Sequence, residues 1–528
     1  MKHFTITLRP DGKQVTIHEG ATLLEAAGQA GIIINTVCGG RGTCKKCIAI
    51  IEPEGKEVLA CQYRIQSDLT VTIPQSSRFF EQKILEHGID TQIKPSGDLI
   101  EKYKGITGSD KIFGLAVDIG TTTVVAKLIN MSDGKCSGTE AVLNPQCKYG
   151  DDVISRIAYA QDDGKFDELH ESITDCLNEL ISNLCKKNSI NKNDIYEVCV
   201  VGNTTMNHIF LELPISQLGQ APYNAYSLDA YDISPDKSGL QINHEGNIHT
   251  VENIAGFVGA DTVAVALAVD IDSEKDNTLV VDIGTNGELV LAANGKFYAA
   301  SCAAGPALEG ARIICGSRAM QGAIEAVVLN ENDIDIDVIG DRPASSICGS
   351  GLIDAVAVML ELGVIDKTGR FVEPAKLEGN IPAGAYSRIY GQDGEPAFKL
   401  AENEDGKVFL TQRDIRQVQL AKAAIKAGIK LLQKKVGLED SDISKILLAG
   451  AFGNYVRAES ALRIGLLPSV PVEKIHFVGN AAASGAIMAL LNRQYREKAR
   501  ELARKIEYVE IAHEPEFQDV YADSMLFG

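Results

Sequence analysis

Two stretches of this chain repeat one pattern. Phe113-Gly-Leu-Ala-Val-Asp118-Ile-Gly120-Thr-Thr-Thr123 is an apolar strand ending in a tight turn that bears an acid and hydroxyls, and Leu279-Val-Val-Asp282-Ile-Gly284-Thr-Asn-Gly287 repeats it. Each copy is followed by an apolar strand running into a small-residue turn, Val198-Cys-Val-Val-Gly202-Asn-Thr-Thr205 in the first half and Ile446-Leu-Leu-Ala-Gly450-Ala-Phe-Gly453-Asn454 in the second. A third echo closes each half, Phe257-Val-Gly259-Ala-Asp261 and Phe477-Val-Gly479-Asn-Ala481, each ahead of a helix rich in alanine. Three matched elements in the same order predict a duplicated lobe.

The turns say what lies between the lobes. A strand-turn-strand with Gly and Thr offers backbone N–H groups and hydroxyls to phosphate oxygens; this makes Gly120, Thr121 and Thr122 one candidate phosphate set and Gly284, Thr285 and Asn286 the other. Asp118 and Asp282 precede these turns and would repel a phosphate, so each is expected to face Mg2+ or its waters. Gly450, Ala451, Phe452 and Gly453 open a helix from a strand end and suit an adenosine face where no side chain intrudes. One Asp-x-Gly-Thr is weak evidence; two, with a glycine turn after the second, are strong.

A separate signal lies upstream, in Cys38-Gly-Gly-Arg-Gly-Thr-Cys44-Lys-Lys-Cys47 and Cys61. Structural zinc sites usually pair one C-x2-C with another. Here the second set is a single cysteine, and C-x5-C-x2-C with a distant fourth is close to the plant-type 2Fe-2S run. Gly39, Gly40 and Gly42 would let the chain turn backbone N–H groups toward sulfur. The spacing favours a one-electron 2Fe-2S centre over zinc or unrelated buried thiols. The loop resembles that of adrenodoxin-like ferredoxins, although their last cysteine lies much further on than position 61. Around it, residues 4–8 and 14–17 read as a β-hairpin, Thr22-Leu-Leu-Glu25 as a capping box opening a short helix, and residues 71–73 as a closing strand.

Length divides the chain further. Its 528 residues exceed one core, and the expected units are a ferredoxin-like domain 1–76, a linker 77–110, ATPase lobe I 111–270 and ATPase lobe II 271–528. The linker fits two readings, a flexible tether and a segment packed on its neighbour. The net charge of -20 argues against nucleic acid or an anionic membrane as partner. There is no apolar run long enough to span a bilayer and no signal-peptide core, so a cytoplasmic location is expected. The cysteines outside the loop then read as reduced core thiols. Thr411-Gln-Arg-Asp414 caps a long amphipathic helix ending at Gly437, and residues 493–504 read as a charged helix with a solvated face. Glu309 and Arg312 form an ion pair or line the cleft.

Residues 112–490 resemble the superfamily of acetate and sugar kinases, seventy-kilodalton heat-shock proteins and actin, which implies two ribonuclease-H-like lobes hinged on ATP. The fold class expected is thus α/β multidomain, a β-grasp 2Fe-2S ferredoxin followed by a duplicated ASKHA-type ATPase. The whole chain resembles the reductive activators of corrinoid proteins. That resemblance rests on Cys38, Cys44, Cys47 and Cys61, Asp118-Ile-Gly-Thr-Thr-Thr, Val201-Gly-Asn-Thr-Thr-Met, Ala304-Gly-Pro-Ala-Leu-Glu-Gly, Gln412-Arg-Asp-Ile-Arg-Gln-Val-Gln-Leu-Ala-Lys and Glu516-Phe-Gln-Asp. It implies ATP-driven electron transfer onto cob(II)alamin of a methyltransferase corrinoid protein, as in O-demethylation, with an external ferredoxin or flavodoxin as donor; it leaves a homodimer open. Under this resemblance Ser301, close after the second phosphate hairpin, is either packed in a turn or a small oxygen able to reach a cobalt axial position. Some relatives carry an extra domain for which residues 77–110 leave no room, and the C-terminal cysteine clusters of methylamine-type activators are missing. A redox-regulated ASKHA-type small-molecule kinase, with Asp261 or Glu309 as base, and a chaperone-like ATPase with a structural cluster are the competing readings.

Overall fold

The computed structural model describes the chain apart from residues 1, 11, 31, 33, 35–46, 75–76, 78–92, 108–110, 151, 341, 405 and 451–455. The alternation of residues 3–9 turns Ile6 and Leu8 inward, both fully buried. The strand His3–Arg9 pairs antiparallel with Lys13–His18 and parallel with Leu69–Thr72. The hairpin Ile48–Glu52 and Lys56–Leu59 completes a five-stranded sheet. The capping box forms as the sequence predicts. The Thr22 Oγ1 accepts from the Glu25 backbone N–H at 3.1 Å, the Glu25 carboxylate accepts from the Thr22 backbone N–H, and the helix runs Leu23–Gln29. Sheet, helix and the order of elements are those of a β-grasp ferredoxin.

The two lobes repeat each other strand for strand. In lobe I, Phe113–Ile119, Thr123–Asn130 and Cys136–Leu143 form an antiparallel meander, and Ile195–Gly202 and Asn247–Thr250 add in parallel on the other edge. In lobe II the meander is Thr278–Ile283, Gly287–Ala293 and Lys296–Cys302, and the parallel strands are Lys445–Ala449 and Ile475–Gly479. Each lobe has one long helix, Lys165–Asn188 in the first and Gln412–Val436 in the second. The second starts at the Thr411–Asp414 capping box and stops at Gly437, which sits at φ 71° as a left-handed C-terminal cap. Lobe II also holds two three-stranded sheets between its meander and that helix.

Two short helices join the lobes. Ala260–Ala268 and Ala481–Leu491 are buried on nearly every residue. A Cβ on Gly485 would fall 2.1 Å from the Ala264 carbonyl oxygen, so the crossing is close enough to require glycine. Their small side chains bring both Phe-Val-Gly turns to one place.

The described part of the linker is packed rather than free. Ser96 N–H donates to the Leu491 carbonyl at 2.8 Å, and the helix Gly97–Thr107 buries Tyr103, whose hydroxyl donates to Glu197 Oε1 at 2.6 Å. Residues 79–86, whose sequence reads as the start of a helix in the linker, lie outside the described residues. The helix Arg493–Lys505 has the expected solvated face, with Arg493, Glu497, Glu501, Arg504 and Lys505 exposed, and buries Ala499 and Leu502 on the other. One charge departs from that pattern: Arg496 is 9% exposed and donates to Glu197 Oε2 at 3.1 Å, a buried ion pair where linker, lobe I and lobe II meet. Among the described residues, no helix is long and apolar enough to cross a membrane.

Candidate nucleotide site and iron-sulfur centre

Both phosphate hairpins close through the N–H of their glycine, the second over a loop one residue shorter. Gly120 N–H donates to the Thr123 carbonyl at 2.9 Å and Gly284 N–H to the Asn286 carbonyl at 3.0 Å. A Cβ on Gly120 would lie 2.7 Å from the Thr123 oxygen, so the tightness of the turn explains the glycine. The first hairpin is fixed from behind. Asn144 Nδ2 donates to the Gly120 carbonyl at 2.9 Å, Asn203 Nδ2 donates to Thr121 Oγ1 at 2.9 Å, and the buried Arg156 guanidinium donates to the Thr121 carbonyl.

The hairpins face each other across the lobe boundary. Thr122 Oγ1 and Thr285 Oγ1 are 2.7 Å apart, and both lie within reach of one carboxylate oxygen, Glu309 Oε2, at 3.2 and 2.9 Å. Glu309 ends the short helical turn Pro306–Glu309. Of the two readings for this residue, lining the cleft is the one its bonds follow. Burial raises its carboxyl above the ordinary value, while the two hydroxyls and the charge of Arg318 oppose the rise.

Near the hydroxyls lies a set of half-buried acids, Asp118, Asp261, Asp282 and Glu288. Burial first, then the charge of Asp261, raises Asp118 to about 7; burial, then Asp261 and Asp118, raises Asp282 to about 7. Asp261 is raised to about 6, again chiefly by burial. Glu288, opposite Asp282 in the hairpin register, is pushed well up by burial and by these two acids. Asn480 Nδ2 donates to Asp118 Oδ2 at 3.3 Å across the lobes. So much half-buried carboxylate is costly without a cation. The donor set fits Mg2+, which binds through one or two carboxylates plus phosphate oxygens and waters. Among the described residues, no three Asp, Glu, His or Cys side chains converge tightly enough to hold an ion alone, in keeping with that shared coordination.

Gly450 sits at φ +95°, and a Cβ there would be 2.6 Å from Asp282 Oδ1. The turn after Lys445–Ala449 is thus laid directly on the acid of the second hairpin. Ala451, Phe452 and Gly453 lie outside the described residues. Ser301 is the penultimate residue of the strand Lys296–Cys302, opposite Glu288. It is half-buried, and its hydroxyl bonds the Glu288 carboxyl.

In the ferredoxin unit, Cys47 and Cys61 are buried with their sulfurs 3.2 Å apart. That is well beyond the disulfide bond length of about 2.05 Å and within the span of two thiolates on one metal atom at about 2.3 Å each. The pair fits a shared iron. Cys38 and Cys44 lie outside the described residues.

Reading by motif overlooked Glu288, Asn203 and Asn480 as members of the site. Both asparagines follow a glycine at a strand end and cap the next helix: Asn203 Oδ1 accepts from Met206 N–H, and Asn480 Oδ1 from Ala483 N–H. The Gly-Asn pair was the available signal. Glu288 had none, since the first hairpin carries Val125 opposite its aspartate.

Comparison with known proteins agrees with this architecture. Residues 4–75 match the 2Fe-2S iron-sulfur cluster binding domain, 113–274 the RACo middle region, and 276–528 the C-terminal domain of RACo, the ASKHA domain. The corrinoid activation enzyme RamQ of Eubacterium limosum is 33% identical, with 98% of each chain covered. The [Co(II) methylated amine-specific corrinoid protein] reductase of Methanosarcina barkeri is 26% identical over 75% of this chain and 73% of its own. The solved structure of a reductive activator for corrinoid, iron-sulfur protein superposes with a TM-score of 0.75 at 30% identity, covering 99% of this chain and 98% of that one. With a 2Fe-2S domain, the RACo middle region and the ASKHA domain in that order, the chain belongs to the family of reductive activators of corrinoid proteins.

Proposed function

We propose that this protein restores the Co(I) state of a methyltransferase corrinoid protein, using ATP to drive one electron onto Co(II). The observation that carries this is the union in one chain of a buried thiol pair fit for a cluster and two phosphate hairpins whose threonines meet across the lobes. A 2Fe-2S cluster, when bound, supplies a one-electron donor. Cys38, Cys44, Cys47 and Cys61 would hold it, within a unit bounded at residues 1–76 and tethered through 77–110 to lobes 111–270 and 271–528. An external low-potential ferredoxin or flavodoxin, a cytoplasmic location and a homodimer belong to the same proposal.

The energetic need for ATP follows from potential. Each 100 mV uphill costs about 2.3 kcal/mol per electron, and nucleotide can offset this only by favouring a complex in which cobalt is easier to reduce. Asp118 and Asp282 organise Mg2+, Gly120 to Thr122 and Gly284 to Asn286 hold the phosphates, and Gly450 to Gly453 face the adenosine. Ser301 sits one strand from Asp282 through Glu288, so closure on nucleotide has a short path to its hydroxyl, proposed to face cobalt. In the kinase reading the cluster unit would only sense redox state; the relatives, a corrinoid activation enzyme and a corrinoid protein reductase, support the electron-donor reading instead.

Mixing the purified protein with a corrinoid protein, reductant and ATP should produce the Co(I) absorption band, and no band with ATP present would sink the proposal. Ser301→Ala should slow that reduction strongly; wild-type rates would remove Ser301 from the cobalt-facing surface.

A further inference from the structure

We propose that Glu309 positions the water that attacks ATP and takes its proton. This deepens the proposed function, resting on its placement of the phosphates between the two hairpins. The candidates for such a role are the carboxyls of the cleft. Asp118, Asp261, Asp282 and Glu288 lie together behind the turns, within the field of one another; their charge is needed for a cation. Glu309 is set apart. Its Oε2 accepts from Thr122 Oγ1 and Thr285 Oγ1, one hydroxyl from each of the two turns proposed to hold the phosphates.

A water seated over this triangle of oxygens can donate to the carboxylate and to a threonine hydroxyl oxygen, whose own proton is given to Glu309, and that leaves a lone pair free to face phosphorus. In the step, the water oxygen bonds to the γ-phosphorus and the bond to the β,γ-bridging oxygen breaks. ADP leaves with that oxygen, and the water proton passes to Glu309 and then to the released phosphate. A half-buried carboxylate with a raised proton affinity is better matched to this work than a fully solvated one.

The position also explains two neighbours. Gly305 is at φ +76° and Gly310 at φ +84°, so a left-handed turn on each side aims the Pro306–Glu309 turn into the cleft. A Cβ on Gly310 would fall 2.2 Å from the Ser317 carbonyl oxygen, so that aim is fixed by close packing.

The test compares wild type, Glu309→Gln and Glu309→Asp. Loss of a general base typically slows the chemical step by about 10²–10⁴-fold. Glu309→Gln, which keeps shape and hydrogen bonding, should show a kcat for ATP hydrolysis lowered on that order, with Mg-ADP affinity, KM and melting temperature near wild type. Glu309→Asp should recover part of the rate. If Glu309→Gln hydrolyses ATP at the wild-type rate, the inference is wrong. If it loses nucleotide affinity and rate together, Glu309 is a structural clasp and the inference is equally wrong. Failure of the wild-type protein to bind Mg-ATP would instead overturn the proposed function beneath it.

Discussion

At the scale of single residues, chemistry and burial are set against each other most sharply at Asp282. It is half-buried, lies within the field of Asp118 and Asp261, and sits against the backbone of Gly450. Asp282→Asn keeps the shape and removes a charge that Mg2+ requires. ATP hydrolysis should fall below detection while the visible spectrum of the cluster and its reduction by dithionite stay unchanged; hydrolysis with normal magnesium dependence would reject the assignment. The sequence revealed Asp282 because the same acid-glycine-threonine order occurs twice. It did not reveal Glu288, which depends on strand register, or the meeting of Thr122 with Thr285, which depends on how the lobes are docked. A motif shows what one turn offers and not which turn it will face.

At the scale of elements, the helix Gln412–Val436 is legible from its caps and apolar spacing, but its polar residues have a use that spacing could not show. Gln419 Nε2 donates to the Met525 carbonyl at 2.8 Å, the Lys422 ammonium donates to the Leu526 carbonyl, and Phe527 packs with 2% exposure. Residues 412–422, one of the segments that carry the family resemblance, thus hold residues 525–526. Burial, with the charges of Lys426 and Lys430 added, lowers Lys422 to about 7. Between about 7 and its usual value of about 10.4, the unfolded chain holds a proton at this lysine that the folded chain has released. Stability from this group therefore rises with pH across that window and is flat below it. In Lys422→Met this contribution vanishes, so the difference in melting temperature between wild type and variant should shift toward wild type from pH 7 to pH 9.5. A pH-independent difference would show that Lys422 stays charged in the folded protein. The helix Arg493–Lys505 teaches the complementary lesson. Its charge pattern reads as solvated, yet Arg496 is committed to Glu197, since an arginine is affordable in a core only with its counter-ion.

At the scale of the whole molecule, the question is whether the cluster and the nucleotide site serve each other within one chain. The linker helix Gly97–Thr107 is fastened by Tyr103 to Glu197, and Glu197 to Arg496, so the chain leaving the ferredoxin unit is anchored where the lobes join. Cys61→Ser should lose iron and acid-labile sulfide, each about two per chain in the wild type for a 2Fe-2S centre, and with them all corrinoid reduction, while Mg-ADP still binds. Asp282→Asn should lose corrinoid reduction for the opposite reason. Mixing the two variants then decides the arrangement. If each ferredoxin unit serves its own lobes, the mixture stays inactive, because no chain has both a cluster and a working nucleotide site. Recovery of Co(I) formation in the mixture, in proportion to the concentration of the scarcer variant, would mean that a cluster reaches the corrinoid held by another copy, and the anchored linker would then act between subunits.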